Sequence, residues 1–542
     1  MTRRTLATVA ALIAGTLLLV TAGWSTAHPG ASDAKGGVLR VARFEDVDYI
    51  DPALAYSSWS AALLHPTCAR LFNLPDRPGA DGARVVPEVV RRHTVTDGGR
   101  TYRFELRRTF RFHTGAPVTA RSFADAFNRV ADPRMRSPGA GFLHEIVGAD
   151  AVREGKARTI EGVRVLGPYR LELRLTKPVG DLTARLTMLF FCPVLPNTPI
   201  DPRGIDDPAG SGPYYVADRV VNQRVVLRRN PYYHGDRPAH VDQIVYTAGV
   251  AAEDCLAATQ DDRVDLCLGV AAIPDTAHRG LAAKYGVNRP RGQYFVAPVL
   301  SVFAFAFNHD RPAFAGREQI PLAKAINYAI DRHELARVVG VLAGRRTDEI
   351  LPPSLGGTGR VYPIAGPDLV TARKWLKRAR LEPRELVLYA LNTSFGVGFA
   401  QVFAFNLKQI GIDVTVRFFD LANLAQRART RGEPYDVVFQ PWTVDYPDPA
   451  SFFVLLQSES IGGVNWANLD DPTVDARIDA ANRLTGAARR RAWADLDADL
   501  MRDNPPWAPF LHRNQRNFVS KSVGCFFLHP VYREDLAAIC KK

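Results

Sequence analysis

The sequence predicts an α/β fold, and two patterns support this prediction. In the second half of the chain, strand-like segments at 385–391 and Asp413–Phe419 alternate with helix-like segments at 370–380 and 397–410. Such alternation is typical of a mixed sheet covered by helices. In the first half, segments such as Tyr102–Leu106 place apolar residues at every second position, which is the pattern of half-buried strands.

Local signals predict further elements along the chain. A strand is expected at 37–42, ahead of a turn at 51–52, and a helix is expected after Thr119, a favourable N-cap residue. The apolar run at 296–308 enters the second half. Pro321–Val339 has apolar residues at helical spacing and predicts one long helix.

Length and charge limit the class of protein. The 542 residues are enough for two to four domains, and the 46% hydrophobic and 23% charged residues are ordinary globular values. The net charge is +13. The basic residues are scattered among strand-like segments, which favours solvated faces over a nucleic-acid surface.

The N-terminus has the pattern of an export signal. Arg3 and Arg4 precede an apolar run from Leu6 to Val20, and small residues follow. We interpret 1–27 as a signal peptide and 28–35 as a linker. A buried helix and an uncleaved membrane anchor are the alternatives. Because no cysteine precedes Cys68, a lipid anchor on an N-terminal cysteine is excluded.

Six cysteines in an exported chain favour disulfides over free buried thiols. Proximity in the sequence favours two short-range pairs and leaves one long-range pair. These are Cys255–Cys267, Cys525–Cys540 and Cys68–Cys192. No C-x-x-C motif occurs, and one histidine beside one cysteine falls short of a structural zinc site. No metal site and no cofactor are therefore predicted.

The sequence contains none of the catalytic motifs that would identify a common class of enzyme. Neither His144-Glu145 nor His333-Glu334 has the second histidine of a zinc-protease motif, and Ser211 lacks the flanking glycines of a nucleophile elbow. No phosphate-binding or dinucleotide-binding glycine loop is present. The sequence therefore offers no catalytic residues to name, and no enzymatic activity is predicted.

Several blocks in a fixed order resemble one protein family. They are Gly36–Ala42, Asp51–Tyr56, Thr96–Phe104, Phe112–Ala120, Gly210–Tyr214, Arg229–Tyr233, Ala325–Arg332, Gly411–Val414, Tyr435–Val438 and Trp442–Pro449. Together they resemble the extracytoplasmic solute-binding proteins of family 5, which include the dipeptide- and oligopeptide-binding receptors of ABC importers. The resemblance covers about residues 36 to 535.

The resemblance implies a two-lobed periplasmic-binding-protein-like fold of class II, cluster C type, with the ligand cleft between the lobes. Lobe I would hold an extra subdomain. The expected bounds are 36–290 for lobe I, about 57–195 for its subdomain, 291–509 for lobe II, and 510–542 for a return to lobe I.

The resemblance also implies a function. The chain would capture short peptides in a closing cleft and deliver them to the permease subunits of an ABC importer, as a monomer outside the cytoplasm. Two alternatives stay open. One is the same fold binding a non-peptide solute such as a metal chelate, a sugar or haem, and the other is an exported hydrolase of peptides or cell-wall fragments.

Asp445 is the first candidate ligand-binding residue. In peptide-binding relatives the aspartate of the matching W-x-x-D segment pairs with the α-ammonium of the ligand, and Asp448 is a second candidate nearby. The other candidates are aromatic or polar residues expected near the cleft: Trp442, Tyr446, Tyr56, Ser57, Trp59, Phe305 and Asn308. Alternation places Phe303, Phe305 and Phe307 on one face, for which a core position is expected.

Overall fold

The computed structural model describes residues 36–269, 272–357, 360–380 and 385–542. The predicted signal peptide (1–27) and linker (28–35) lie outside the described residues. Within them, two large sheets each form the centre of a lobe, and a third sheet belongs to the part of the chain where the extra subdomain was expected.

The first lobe is built on a five-stranded sheet. Its strands, in spatial order, are Leu266–Cys267, Val38–Ala42, Gln243–Thr247, Arg224–Arg229 and Tyr214–Val220. The first strand of the chain pairs in parallel with both of its neighbours, and the rest of the sheet is antiparallel. Leu39, Val41, Ile244 and Tyr246 are fully buried on this sheet.

The third sheet has four antiparallel strands. In spatial order they are Val90–Thr96, Thr101–Leu106, Arg170–Arg174 and Val163–Gly167. The helix Ala120–Ala131 packs on its apolar face and begins after Thr119, which forms a reciprocal cap with Ser122. The N-cap prediction at Thr119 is therefore confirmed.

The second lobe is built on a seven-stranded mixed sheet. Six strands lie in the order Tyr294–Pro298, Trp507–Phe518, Ser301–Phe307, Val437–Thr443, Glu385–Leu391 and Asp413–Phe419, and Gly344–Arg346 pairs with the second of them. Phe303, Phe305 and Phe307 are buried in the core of this lobe, as expected from their alternation.

The α-helices surround these sheets. Their bounds are Ser58–Leu64, Gly79–Gly82, Ala120–Ala131, Ala149–Arg153, Leu182–Arg185, Ala252–Gln260, His278–Tyr285, Ile320–Ala329, Arg332–Val338, Leu369–Leu376, Ser394–Lys408, Leu421–Arg429, Ala450–Phe453, Pro472–Arg483 and Gly486–Asp503. Within the described residues, no helix has the length and apolarity needed to cross a membrane.

The single helix predicted from Pro321 to Val339 is wrong, because the structure divides it in two. Ile330 has extended backbone angles, and the Asp331 side chain then accepts hydrogen bonds from the backbone of His333 and Glu334. Asp331 is thus a genuine N-cap inside a segment whose apolar spacing alone suggested continuity.

Three disulfides join Cys68 to Cys192, Cys255 to Cys267 and Cys525 to Cys540, which are the three expected pairs. Cys255 and Cys267 join a helix to the edge strand of the first sheet. After the strand Trp507–Phe518, Val519 bridges to Leu266 of that same sheet. The expected boundary at 510 thus falls inside a strand, and the domain bounds stay predictions.

Candidate functional site

A cavity of about 250 Å³ lies between the two lobes. Four separate stretches of chain line it, at 55–61, 187–190, 442–445 and 531–533, and Arg70 adds to the wall. A second, enclosed cavity beside the Cys68–Cys192 disulfide has only about 30 Å³. That space is enough for a water molecule or two. Three larger cavities, of about 340, 520 and 770 Å³, are each lined by residues of one lobe alone. The cavity lined from both lobes is therefore the candidate ligand site.

Asp445 lies on the wall of this cavity, just after the strand Val437–Thr443. Its backbone N–H donates to Ser451 Oγ at 3.0 Å, which fixes the turn, and Tyr56 Oη donates to its carboxylate at 3.0 Å. No ion pair among the described residues involves Asp445. Removal from water, opposed only by the Tyr56 hydrogen bond, raises the pKa of Asp445 to about 7.

Tyr56 reaches Asp445 from the first lobe. Asp48 accepts hydrogen bonds from the backbone N–H groups of Tyr56 and Ser57, and Ser57 caps the helix Ser58–Leu64. This arrangement holds the turn at the cavity, with the Tyr56 ring 5.8 Å from that of Phe190. Burial, followed by the neighbouring Asp445 charge, raises the pKa of Tyr56 well above its usual value.

Trp442 supplies an aromatic wall at the start of the lining segment 442–445. Its indole N–H donates to the carbonyl of Ser451 at 2.8 Å, so the same turn positions Trp442 and Asp445. The structure therefore brings together Asp445, Trp442 and Tyr56 of the predicted ligand-binding residues. Their role in binding stays a prediction.

The other predicted residues lie away from the cavity wall. The indole N–H of Trp59 donates to the Asp46 carbonyl, and the Arg43 guanidinium lies over the Trp59 ring. The Ser57 side chain caps the helix Ser58–Leu64. Phe305 is fully buried among aromatic rings of the second lobe. Asn308 is also buried, and its side chain donates to the Tyr435 carbonyl. Satisfied polar contacts and core packing account for these four positions.

Tyr446 connects the second lobe to the four-stranded subdomain. The ring is buried in the subdomain core, and its hydroxyl donates to Asp181 at 2.8 Å. Asp181 also accepts from Arg185, which in turn donates to Glu145 at 2.6 Å. Tyr446 therefore serves a contact between lobes, at a distance from the cavity wall.

Asp448, the second candidate for a ligand carboxylate, is already engaged. Arg489 donates to both of its carboxylate oxygens, at 2.6 and 3.2 Å. Asp448 also caps the backbone of Ala450. Burial raises the Asp448 pKa, and the Arg489 guanidinium opposes that effect.

Sequence reasoning missed the basic part of the cavity wall. Arg533 lies there, 4% exposed, and donates to Ser58 Oγ at 2.6 Å and to Thr443 Oγ1 at 3.3 Å. Arg70 is fully buried beneath Tyr532, and its Nε and Nη1 atoms have no hydrogen-bond partner within the described ranges. No motif marks either residue, since both are brought to the cavity by the fold.

One cluster has the residue types of a metal site. His65, Asp76 and Asp535 each place a ligand atom within 4.8 Å of the others, the only such group among the residues described. Arg237 Nε lies 3.6 Å from the Asp76 carboxylate. With a guanidinium in this position, the cluster fits a buried ion-pair network better than a cation site.

A ligand-sized cavity between two α/β lobes, bordered by a carboxylate and tyrosine that meet across the gap, defines a two-lobed binding protein. Residues 52–463 match the model of the bacterial extracellular solute-binding proteins, family 5, and the chain belongs to that family. The resemblance seen in the sequence and the expected two-lobed fold are thereby confirmed.

Three comparisons illustrate this membership. A probable deoxycholate-binding periplasmic protein of Escherichia coli K12 is 26% identical over 479 residues, covering 84% of this chain and 85% of the relative. The periplasmic oligopeptide-binding protein OppA of the same strain is 25% identical, covering 77% of each chain. The solved structure of clavulanic acid biosynthesis oligopeptide binding protein 2 is 25% identical, with a TM-score of 0.86, covering 94% of this chain and 96% of the other.

Proposed function

We propose that this protein captures short peptides between its lobes and delivers them to the permease of an ABC importer. The observation that carries the proposal is the Asp445 carboxylate, which borders the cavity and has no cationic partner in the part of the chain that the structure describes. Relatives named as peptide-binding proteins support the ligand class.

The chemistry of Asp445 fits a peptide N-terminus. A carboxylate removed from water is costly unless a cation compensates it. An α-ammonium brings a positive charge and three N–H donors, and the Asp445 Oδ1 atom already accepts from Tyr56. Binding an ammonium would therefore stabilise the ionised form of Asp445 and lower its pKa from about 7.

Contacts across the gap support capture by closure. Besides Tyr56–Asp445 and Tyr446–Asp181, Lys177 forms an ion pair with Asp479 at 3.0 Å. The Gly180 N–H donates to the Asn482 carbonyl at 2.7 Å. These pairs would form together as the lobes meet, which is the usual hinge closure around a ligand.

The remaining parts of the proposal concern location and partners. A periplasmic or cell-surface location agrees with the periplasmic names of the relatives. Export by the 1–27 segment, a monomeric state and an importer on other chains complete the proposal. Catalysis is left to other proteins. Incubation of the purified protein with a peptide mixture, followed by mass spectrometry, should show no new cleavage products.

An anionic amphiphile is a second candidate ligand. A relative named as deoxycholate-binding favours it, and so does the apolar lining by Leu189, Phe190 and Val531 beside Arg533. Native mass spectrometry of the protein as purified separates the two ligand classes. A mixture of short peptide masses supports the first candidate, and a single bile-acid-like mass supports the second.

The direct test uses Asp445→Ala and two matched ligands. Calorimetry should show that the substitution weakens a peptide with a free N-terminus about 100-fold and an N-acetylated peptide less than threefold, because only the first carries the ammonium. Asp495→Ala, on an exposed helix position, is the charge-matched control. Equal losses for both ligands, or no loss for either, would refute the anchoring role.

A further inference from the structure

A basic surface covers one side of the second lobe, on the helix Leu369–Leu376 and just beyond its end. Five exposed cations lie between 373 and 380, and no carboxylate occurs between 369 and 380. Three more cations, from other parts of the lobe, line a neighbouring cavity of about 340 Å³ together with Trp375. The basic surface consists of these eight residues: Arg373, Lys374, Lys377, Arg378, Arg380, Lys324, Arg360 and Arg502.

Most of these cations have no carboxylate partner. Within the part of the chain that the structure describes, seven of the eight form no ion pair, and the exception is Arg502, which lies 2.8 Å from Asp499. Two other carboxylates lie near the surface: Asp368, which caps the helix, and Asp503, whose charge acts on Lys324. Three carboxylates do not balance eight cations, so the surface carries a large positive excess.

The fold holds this charge at the outside of the lobe. Ala372 and Leu376, one turn apart on the helix, and Ala379, just past its end, are buried in the core of the second lobe. Because one side of the segment is fixed against the core, the other side faces solvent. The exposure of all five cations from 373 to 380 agrees with this orientation.

Apolar side chains lie among the cations. The half-buried Trp375 ring connects the helix to the cavity, with Lys324 Nζ 4.7 Å and the Arg378 guanidinium 4.8 Å from its centre. Val370, at the start of the helix, is 63% exposed. Tryptophan is favoured where apolar and wet surroundings meet. A helix whose exposed side combines basic residues with tryptophan and aliphatic side chains is typical of attachment to a bilayer surface.

An array of lipid headgroups fits these cations better than a single protein partner does. The cations are spread over a helix and a cavity, and most are held by no internal hydrogen bond or ion pair that would fix their geometry. Headgroup phosphates are numerous and free to rearrange, so they can meet cations that have no fixed arrangement. Each lysine or arginine near such a surface strengthens attachment about fivefold.

We propose that the basic surface attaches the second lobe to an anionic phospholipid bilayer. Headgroup phosphates would lie against Lys374, Arg378 and the cations of the neighbouring cavity, with Trp375 at the level of the headgroups. No residue of the basic surface lines the cavity beside Asp445, so attachment is separate from ligand binding. A receptor attached in this way would search for its permease in two dimensions.

The experiment measures sedimentation of the full chain with two kinds of vesicle, phosphatidylcholine alone and phosphatidylcholine with about 30% phosphatidylglycerol. The wild type should bind the anionic vesicles at least about 20-fold more tightly than the neutral ones. This preference should be lost between about 50 and 500 mM salt, because salt screens exposed charges. Lys374→Gln combined with Arg378→Gln should weaken binding to the anionic vesicles about 10- to 30-fold, because two cations are removed.

Two matched double variants serve as controls. Arg158→Gln combined with Arg164→Gln removes two exposed cations of the four-stranded subdomain, which also form no ion pair among the described residues. The net charge falls equally, yet binding should change less than about threefold. Lys374→Arg combined with Arg378→Lys keeps both charges and should bind like the wild type, because a bilayer requires no fixed geometry of donors. Circular dichroism and the melting temperature report whether each variant is folded.

Three outcomes would overturn the proposal. Equal losses in the two glutamine double variants would show attraction by the net charge of +13 alone. Loss of binding in the charge-conserving exchange, or equal binding of the wild type to both kinds of vesicle, would indicate a partner other than a lipid surface. Calorimetry should find the affinity for peptides unchanged in every one of these variants, so a failure here is distinguishable from a failure of the proposed function.

Discussion

The segment from Trp442 to Pro449 contains two aspartates, and their surroundings differ sharply. Among the described residues, the carboxylate of Asp445, at the cavity end, accepts a hydrogen bond only from the Tyr56 hydroxyl. Asp448, at the other end, accepts hydrogen bonds from Nε and Nη2 of Arg489. It lies next to the network in which Tyr446 and Arg185 donate to Asp181. Two carboxylates three residues apart therefore differ in their partners: Asp448 accepts from a guanidinium, and Asp445 has no cationic partner among the described residues.

The difference teaches that burial alone does not identify a binding carboxylate. Burial raises the pKa of both Asp445 and Asp448, so the electrostatic signature is shared. Asp445 and Asp448 differ in their hydrogen-bond partners. A carboxylate that already accepts from a guanidinium does not need a cation from the ligand. Among the described residues, Asp445 combines a place on the cavity wall with the lack of a cationic partner, so it is the better candidate of the two.

Breaking the satisfied network should have the largest effect. Arg185→Met leaves Asp181 and Glu145 buried without their shared guanidinium. The free energy of unfolding should fall by about 3–5 kcal/mol, measured by urea denaturation. Arg153→Met, which removes an exposed pair with Asp150, should cost less than about 1 kcal/mol. Similar losses in the two variants would contradict the role assigned to the network.

A smaller loss is expected from Asp448→Asn. Arg489 would lose its carboxylate but keep its bonds to the carbonyls of Ala481 and Asn482. The free energy of unfolding should fall by about 2–3 kcal/mol. The affinity for peptides should change less than threefold, because Asp448 is not on the cavity wall. A ligand effect larger than the stability effect would reverse the assignment of the two aspartates.

The pH dependence of stability sharpens the comparison further. Since the folded state raises the Asp445 pKa from 3.8 to about 7, it holds a proton that the unfolded chain has lost. Ligand-free wild type should therefore lose stability relative to Asp445→Asn as pH rises from about 4 to about 7, with no further change above that. The difference between pH 5 and pH 7 should reach about 2 kcal/mol, because each pH unit across most of this interval contributes up to about 1.4 kcal/mol.

The measurement is a urea titration of both proteins at each pH, with the difference between them isolating Asp445 from other titrating groups. A wild type that gains stability relative to Asp445→Asn over the same interval would contradict the unpaired carboxylate. The same ionisation predicts that affinity for a free N-terminus weakens below pH 7, by up to about tenfold per pH unit.

The smallest effect is expected from Tyr56→Phe. The change removes the one hydroxyl that donates to Asp445 and keeps the ring beside Phe190. Losing a donor to the ionised carboxylate should raise the Asp445 pKa further and weaken the binding of a free N-terminus about three- to tenfold. Calorimetry at pH 8 should restore part of that loss, because Asp445 is ionised there even in the variant.

Features that depend on local sequence patterns could be predicted, and features that depend on tertiary contacts could not. Segment alternation predicted the α/β class, and family blocks pointed to Asp445, Trp442 and Tyr56, which meet at the cavity. Arg533 and Arg70 were missed because their position depends on tertiary contacts between residues far apart in the chain. No local spacing of charges distinguishes them from the many surface arginines.

The misplaced predictions have physical causes of the same kind. Asp331 ended a helix that apolar spacing extended to Val339, because its side chain satisfies the backbone of a new helix. Tyr446 and Trp59 are aromatic residues beside cavity residues, yet their polar atoms find partners in neighbouring elements. Sequence adjacency to a site residue therefore did not predict orientation toward the site.

Gly180 allows close contact between the two lobes. A Cβ atom at this position would lie 2.5 Å from the Leu484 carbonyl oxygen and 2.9 Å from Arg489 Nη1. The methyl group of an alanine at position 180 would therefore clash with the second lobe and prevent the two lobes from closing fully. Such a variant would still bind its ligand but would enclose it less completely. Its dissociation rate constant should therefore rise more than its association rate constant falls.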